Sequence, residues 1–110
     1  MRRWFTERFR TDHRDAVSRF RTTIERTNAD GYAGCCAALR DGDLRSAAAT
    51  VTCPAMIVIG RHDPATPPDA GRWLAEQIPG AQLVELDAAH LSNVECPEAF
   101  NTAVRRFLAD

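Results

Sequence analysis

The spacing of apolar residues divides the chain into a helical first half and a second half with a different pattern. Val17, Phe20 and Ile24 recur at helical spacing within residues 13–27. Another set recurs at i, i+3, i+4 and i+7 within residues 30–40: Tyr32, Cys35, Cys36 and Leu39. Two amphipathic helices are therefore predicted.

Polar residues indicate where the helices begin. Asn28 or Asp30 is expected to cap the second helix, and Asp43 to cap a short helix that runs through Ala49. The start of the chain adds aromatic residues that indicate one more short helical piece: Trp4, Phe5 and Phe9.

The second half of the chain alternates between strand and helix patterns. The run AMIVI, residues 55–59, ends at Gly60 and is typical of a strand buried on both faces of a parallel sheet. A helix follows through about Gln77, and QLVELD, residues 82–87, predicts a second strand. Pro97 then opens a last helix with one apolar stripe. This order predicts two adjacent parallel strands with helices packed on them.

Two parallel strands do not make a sheet that buries itself. A strand such as AMIVI needs neighbours along its edge, and the sequence contains no further strand pattern to supply them. We therefore expect an α/β fold class in which the chain is the C-terminal fragment of a larger domain. An exposed sheet edge of this kind predicts self-association.

Composition restricts the compartment and the partners. The chain has 110 residues, is 45% hydrophobic and carries a net charge of -1, which fits one domain or part of one and argues against a nucleic-acid partner. No apolar run approaches the roughly 20 residues that span a bilayer, and the basic start is followed by more charge. A cytoplasmic protein without a membrane partner is expected.

The four cysteines carry no pattern of a metal site or a disulfide framework. They include no C-x-x-C motif and have no histidine at zinc-finger spacing. We interpret them as small buried or half-buried thiols in a reducing compartment: Cys35, Cys36, Cys53 and Cys96.

An acidic and a basic side chain follow the two predicted strands at the same edge of the sheet. Asp63 lies three residues past the first strand, and His90 three residues past the second. Open α/β sheets place their sites at the carboxyl ends of the strands, so the two side chains can meet. A carboxylate that binds one imidazole nitrogen leaves the other free to accept a proton from a nucleophile. Asp before His is also the order of the last two members of an α/β-hydrolase triad.

The other polar residues near this pair have simpler interpretations. A buried structural role is the alternative for His90 taken alone. His62 is expected to be a solvent-facing loop residue and Asp87 a turn residue. Asp69 is expected to cap the helix after it, and Glu95 to favour the macrodipole of the last helix.

Longer segments of the chain resemble the C-terminal part of α/β-hydrolases. The G-x-x-D-x-x-x-P segment from Gly60 and the A-H-L-x-x-x-E-x-P segment from Ala89 are shared widely in that superfamily. D-P-A-T-P-P at residues 63–68 and D-G-Y-A-G-C-C-A-A-L-R-D-G-D-L-R at residues 30–45 resemble 3-oxoadipate enol-lactonases more specifically. These enzymes open an enol-lactone ring in bacterial catabolism of protocatechuate and catechol.

The resemblance implies a division of the chain and a mechanism. Residues 1–42 would be a helical cap-like segment, and residues 43–110 the C-terminal part of the α/β-hydrolase core. Asp63 would be the triad acid and His90 the general base. A serine would attack the carbonyl of a small-molecule lactone or ester, and His90 would activate the water that hydrolyses the acyl-enzyme. The resemblance implies neither a metal nor an organic cofactor.

The sequence has no nucleophile for such a triad. The G-x-S-x-G elbow expected before the Asp and the His is absent, and the only serines are Ser18, Ser46 and Ser92. The segment GYAGCCAA follows no strand, so its cysteines cannot form the elbow. We expect the chain to be inactive until an N-terminal half completes it. The alternatives are a fragment of a generic α/β-hydrolase esterase and a non-catalytic interaction domain derived from a hydrolase.

Overall fold

A computed structural model describes residues 1–109. Their helices and strands follow the predicted order, except for one short helix before the last helix that was not predicted. No helix within this range is long and apolar enough to cross a membrane. The elements, in chain order, are α1 (Glu7–Asp12), α2 (Arg14–Glu25), α3 (Ala29–Asp41), α4 (Arg45–Ala48), β1 (Met56–Gly60), α5 (Pro68–Gln77), β2 (Gln82–Leu86), α6 (Ser92–Glu95) and α7 (Pro97–Ala109).

The two strands form a parallel sheet, as predicted. They pair in register from Met56 opposite Gln82 to Gly60 opposite Leu86. Helix α5 packs against both strands and α7 packs against β2. The α/β fold class is therefore confirmed, with a crossover helix joining two adjacent parallel strands.

The burial of β1 is uneven. Its first residues, Met56, Ile57 and Val58, are half-buried, and only Ile59 and Gly60 are fully buried. The sequence pattern is typical of a strand buried on both faces, and the partial exposure of the first three positions fits the predicted lack of neighbouring strands. A single neighbouring strand and one packed helix leave part of this apolar run exposed.

A small aromatic cluster holds the first two helices together. Phe5 is fully buried; its ring stacks on Phe9 with centroids 5.1 Å apart and meets Phe20 edge-on at 5.4 Å. Such pairs contribute about 0.5–1.5 kcal/mol beyond the area they bury. Val17 of α2 is also buried. The aromatic residues at the start of the chain thus anchor α1 and α2.

Helix α3 is exposed almost throughout. Of the two predicted caps, Asn28 is the one that forms, since its side-chain oxygen accepts a hydrogen bond from the N–H of Gly31 at 2.9 Å. Every residue of the helix except Ala37 is exposed, including Cys35 and Cys36. Cys53 is exposed as well and Cys96 is half-buried, so the interpretation of the cysteines as buried or half-buried thiols is wrong for three of the four.

Candidate active site

Backbone hydrogen bonds join the loop after β1 to the loop after β2. The N–H of Arg61 donates to the carbonyl of Leu86 at 2.9 Å, and the N–H of His62 donates to the carbonyl of Ala88 at 3.0 Å. These bonds continue the parallel pairing beyond the strand ends. Side chains that follow the two strands are therefore held side by side.

Asp63 is buried and its carboxylate accepts four hydrogen bonds. Oδ1 accepts the N–H groups of Ala65 at 2.7 Å and Thr66 at 3.1 Å. Oδ2 accepts the Thr66 hydroxyl at 2.6 Å and lies 2.8 Å from Nδ1 of His90. Both oxygens are thus satisfied, which a buried carboxylate requires.

These contacts lower the pKa of Asp63. Burial opposes ionisation and raises the pKa, but the Thr66 hydroxyl, His90 and the backbone N–H groups of Thr66 and Ala65 lower it by more. The net pKa lies below the ordinary value for aspartate, so the carboxylate is ionised at neutral pH.

His90 presents one ring nitrogen to Asp63 and the other away from it. Because the ionised carboxylate only accepts hydrogen bonds, the hydrogen-bond network assigns the proton of neutral His90 to Nδ1. Nε2 is then an acceptor, and it has no hydrogen-bond partner among residues 1–109. The side chain is 37% exposed. The structure thus brings the two predicted site residues together, while their catalytic roles stay a prediction.

None of the serines in the described range forms a hydrogen bond with Asp63 or His90. Ser18 and Ser46 are exposed on α2 and α4, and Ser92 is buried in α6. A general base needs its proton donor within about 2.6–3.2 Å or one water away.

A second histidine pairs with a second aspartate beside the first. His62 Nε2 lies 2.8 Å from Oδ1 of Asp87. Both side chains are mostly exposed, so an ion pair here contributes at most about 1 kcal/mol. His62 faces solvent, as predicted. Its contact with Asp87 was not predicted.

Three of the predicted helix interactions are wrong. Asp43 does not cap α4, which begins after Leu44 without a side-chain cap.

The other two concern later helices. Helix α5 begins after Pro67 without a side-chain cap, and Asp69 instead binds Arg72 at 2.8 Å. Glu95 ends α6 instead of starting the last helix, and its carboxylate accepts the backbone N–H groups of Thr6 and Ala89. Pro68, with its fixed φ and no N–H, suffices to begin α5 without a cap.

The contacts of Thr66 and Glu95 with the two site residues and their loops were not predicted from the sequence. Thr66 follows Asp63 by three positions, the spacing at which an aspartate side chain binds a downstream amide, so this signal was present. Glu95 binds Thr6, which lies 89 positions away, and no local pattern reports such a contact. Among residues 1–109, no three metal-binding side chains cluster as a metal site would require.

The chain is similar to a hydrolase family and to two enol-lactonases over most of its length. Residues 22–110 match the family described as TAP-like protein. The chain is 39% identical over 102 residues to 3-oxoadipate enol-lactonase 2 of Acinetobacter baylyi, covering 93% of this chain and 38% of that relative. It is 35% identical over 98 residues to enol-lactonase 1 of the same organism, covering 89% of this chain and 37% of the relative.

A solved structure matches the whole arrangement. The enol-lactonase of Burkholderia xenovorans superimposes with a TM-score of 0.96 and 40% identity, over 98% of this chain and 42% of that one. The strand–helix–strand unit is part of the α/β-hydrolase fold. By the match over residues 22–110, the chain belongs to the TAP-like family of α/β-hydrolases. It spans less than half the length of these relatives.

Proposed function

We propose that the chain supplies the acid and the general base of a serine-hydrolase triad that opens an enol-lactone. The observation that carries this proposal is the buried Asp63 carboxylate 2.8 Å from Nδ1 of the half-exposed His90. The resemblance to 3-oxoadipate enol-lactonases supports a substrate like 3-oxoadipate enol-lactone and a role in cytoplasmic aromatic-compound catabolism.

The arrangement of the pair favours proton transfer through Nε2. Asp63 holds the imidazole in the tautomer whose Nε2 lone pair faces away from the carboxylate. Nε2 takes the proton of a serine hydroxyl as the oxygen attacks the lactone carbonyl, and Asp63 stabilises the imidazolium that forms. The same nitrogen returns the proton to the leaving enol oxygen and then activates the water that hydrolyses the acyl-enzyme.

The nucleophile and the oxyanion-hole donors come from outside these 110 residues. The printed sequence contains no G-x-S-x-G elbow, and the matched enol-lactonase has a further part that this chain does not cover. A nucleophile-bearing polypeptide that pairs with β1 or packs against the exposed helices would complete the site. The chain alone is expected to be inactive, because these two groups supply much of the catalysis.

Complementation tests this proposal. The chain is co-expressed with the part of the Burkholderia xenovorans enol-lactonase that the match leaves uncovered, and hydrolysis of enol-lactone and p-nitrophenyl acetate is measured. Turnover is expected from the mixture and from neither chain alone. His90→Ala should lower kcat by about a thousandfold or more, in line with the loss of a general base.

His62→Ala is the matched control, because His62 adjoins Asp63 but pairs with Asp87 on the surface. It should leave turnover close to that of the unmodified chain. Turnover that survives His90→Ala would contradict the role of the pair. Turnover by the isolated chain that His90→Ala abolishes would contradict an external nucleophile.

The exposure of α3 and the segment after it favours a second candidate function, a non-catalytic interaction domain. Leu39 is 83% exposed and Leu44 is 80% exposed, although both are large apolar residues. Such surfaces mark protein contacts. This function predicts a stable complex with the complementing polypeptide and no His90-dependent turnover, so the same experiment distinguishes the two candidates.

A further inference from the structure

The two backbone amides that flank His90 are both bound by groups from elsewhere in the chain. The N–H of Ala89 donates to Oε2 of Glu95 at 3.2 Å. The N–H of Leu91 donates to the carbonyl of Trp4 at 3.0 Å. The backbone of His90 is therefore held on both sides, independently of the contact that its imidazole makes with Asp63.

The second oxygen of Glu95 extends this attachment to the first helix. Oε1 accepts the N–H of Thr6 at 2.6 Å, and the hydroxyl of Thr6 caps α1 by accepting the N–H of Phe9 at 3.2 Å. One carboxylate thus joins the start of α1 to the loop that carries His90. Hydrogen bonds from backbone N–H groups to an ionised carboxylate are roughly twice as strong as neutral ones.

The geometry points to Glu95 as a positioning residue for His90. Glu95 binds Thr6 and Ala89 with separate oxygens. It thereby holds the His90 loop in the position where Nδ1 contacts Asp63. This inference rests on the proposed function, because Glu95 would act only by positioning the general base His90. A displacement of about 1 Å at a catalytic group can lower the rate about a hundredfold, so the two hydrogen bonds of Glu95 would affect proton transfer.

The test follows the Asp63–His90 hydrogen bond in the full chain by NMR. In the unmodified protein we expect a downfield Nδ1 proton resonance of His90, and imidazole nitrogen shifts of the Nδ1–H tautomer wherever the ring is neutral. Glu95→Ala should abolish the resonance and mix the tautomers, and the amides of Ala89 and Thr6 should exchange about tenfold faster or more. The amides between β1 and β2 should keep their protection.

Glu98→Ala is the matched control. Glu98 is exposed in the first turn of α7, and among residues 1–109 it forms no ion pair or side-chain hydrogen bond. This variant removes a nearby carboxylate of the same type and should leave the His90 resonance unchanged. Glu95→Gln keeps one oxygen acceptor in the same shape, so it should retain part of the signal where Glu95→Ala loses all of it.

Each outcome decides between the proposals. A His90 resonance that is present in the unmodified chain and unchanged in both Glu95 variants would overturn the positioning role alone. Its absence from the unmodified folded chain would count against the Asp63–His90 pair and therefore against the proposed function. Unfolding of both Glu95 variants while the Glu98 variant stays folded would assign Glu95 a purely structural role and overturn the inference.

Discussion

At the scale of single residues, Asp63 combines two opposing electrostatic effects. Its burial disfavours the charged form, while four hydrogen bonds favour it. The hydrogen bonds prevail, so a negative charge lies next to the His90 imidazole. In the proposed mechanism this charge would stabilise the imidazolium that forms during proton transfer. Thr66 is central to the balance, because it binds Asp63 through both its hydroxyl and its backbone N–H.

The lowered pKa of Asp63 makes a prediction about stability at acidic pH. A carboxyl group whose pKa is lower in the folded state than in the unfolded state stabilises the fold above the unfolded pKa of about 3.9. That contribution is lost as the pH falls through the folded pKa. Asp63→Asn should therefore lower the free energy of unfolding by about 1–3 kcal/mol at neutral pH, because it weakens charge-assisted hydrogen bonds.

The difference between the two proteins should shrink over the acidic range below the unfolded-state pKa of about 3.9, as the pH falls through the lower pKa of folded Asp63. Urea unfolding followed by circular dichroism at several pH values measures it. Other carboxylates with a lowered pKa, such as Asp43 and Glu85, also change the stability with pH. Their effects cancel in this comparison, because both proteins contain them. A gap that stays constant over this range would contradict the assignment.

At the scale of elements, the approach of two loops depends on Gly60. The last residue of β1 lies directly against the loop after β2, and a Cβ at this position would overlap the carbonyl oxygens of Ala88 and Ala89. Backbone atoms cannot move aside as the end of a flexible side chain can. Glycine thus lets the Asp63 loop and the His90 loop come together.

Substituting this glycine should destabilise the sheet end and separate the site residues. Gly60→Ala should lower the free energy of unfolding by about 1–3 kcal/mol or more, as overpacking does. Gly34→Ala is the control, since a Cβ there has nothing within 4 Å in exposed α3. It should raise helicity and leave stability unchanged or up to about 1 kcal/mol higher. Equal effects of the two substitutions in urea unfolding would show that the loop contact contributes nothing.

Elements whose signals are local were predictable from sequence, and contacts between distant segments were not. The bounds of β1 and β2 and the cap at Asn28 follow from patterns a few residues long. The pairing of Asp63 with His90 followed from the shared edge of parallel strands. The bridge from Glu95 to Thr6 spans 89 positions, so only the folded chain reveals it. The amphipathic pattern of α3 indicates a face to be covered, but it does not say which polypeptide covers it.

At the scale of the whole molecule, the chain is less compact than its length permits. Its radius of gyration is 15.6 Å, whereas a compact domain of this length is expected to have about 13 Å. Its elements nonetheless superimpose on part of a solved enol-lactonase with a TM-score of 0.96. The elements are therefore arranged as they are in part of a longer chain. They leave apolar surfaces exposed that further polypeptide would cover.

These surfaces predict that the isolated chain associates with itself. Leu39 on α3 and Leu83 on β2 are both exposed, and each strand has one neighbour in the sheet. Because these residues are exposed, sedimentation equilibrium should find dimers or larger species at micromolar concentrations. Burying a leucine contributes about 1.5–3 kcal/mol, so losing one from an interface should weaken association about tenfold or more.

Leu83→Lys and Leu39→Glu identify the surface that associates. A lysine on an exposed strand disfavours edge pairing, so weakening by Leu83→Lys assigns the contact to the sheet. Weakening by Leu39→Glu assigns it to α3. Asn101→Lys, at an exposed polar position of α7, is the control and should change nothing. A monomer with one sharp, cooperative unfolding transition would contradict self-association, because the chain would then need no further surface to bury its apolar strands.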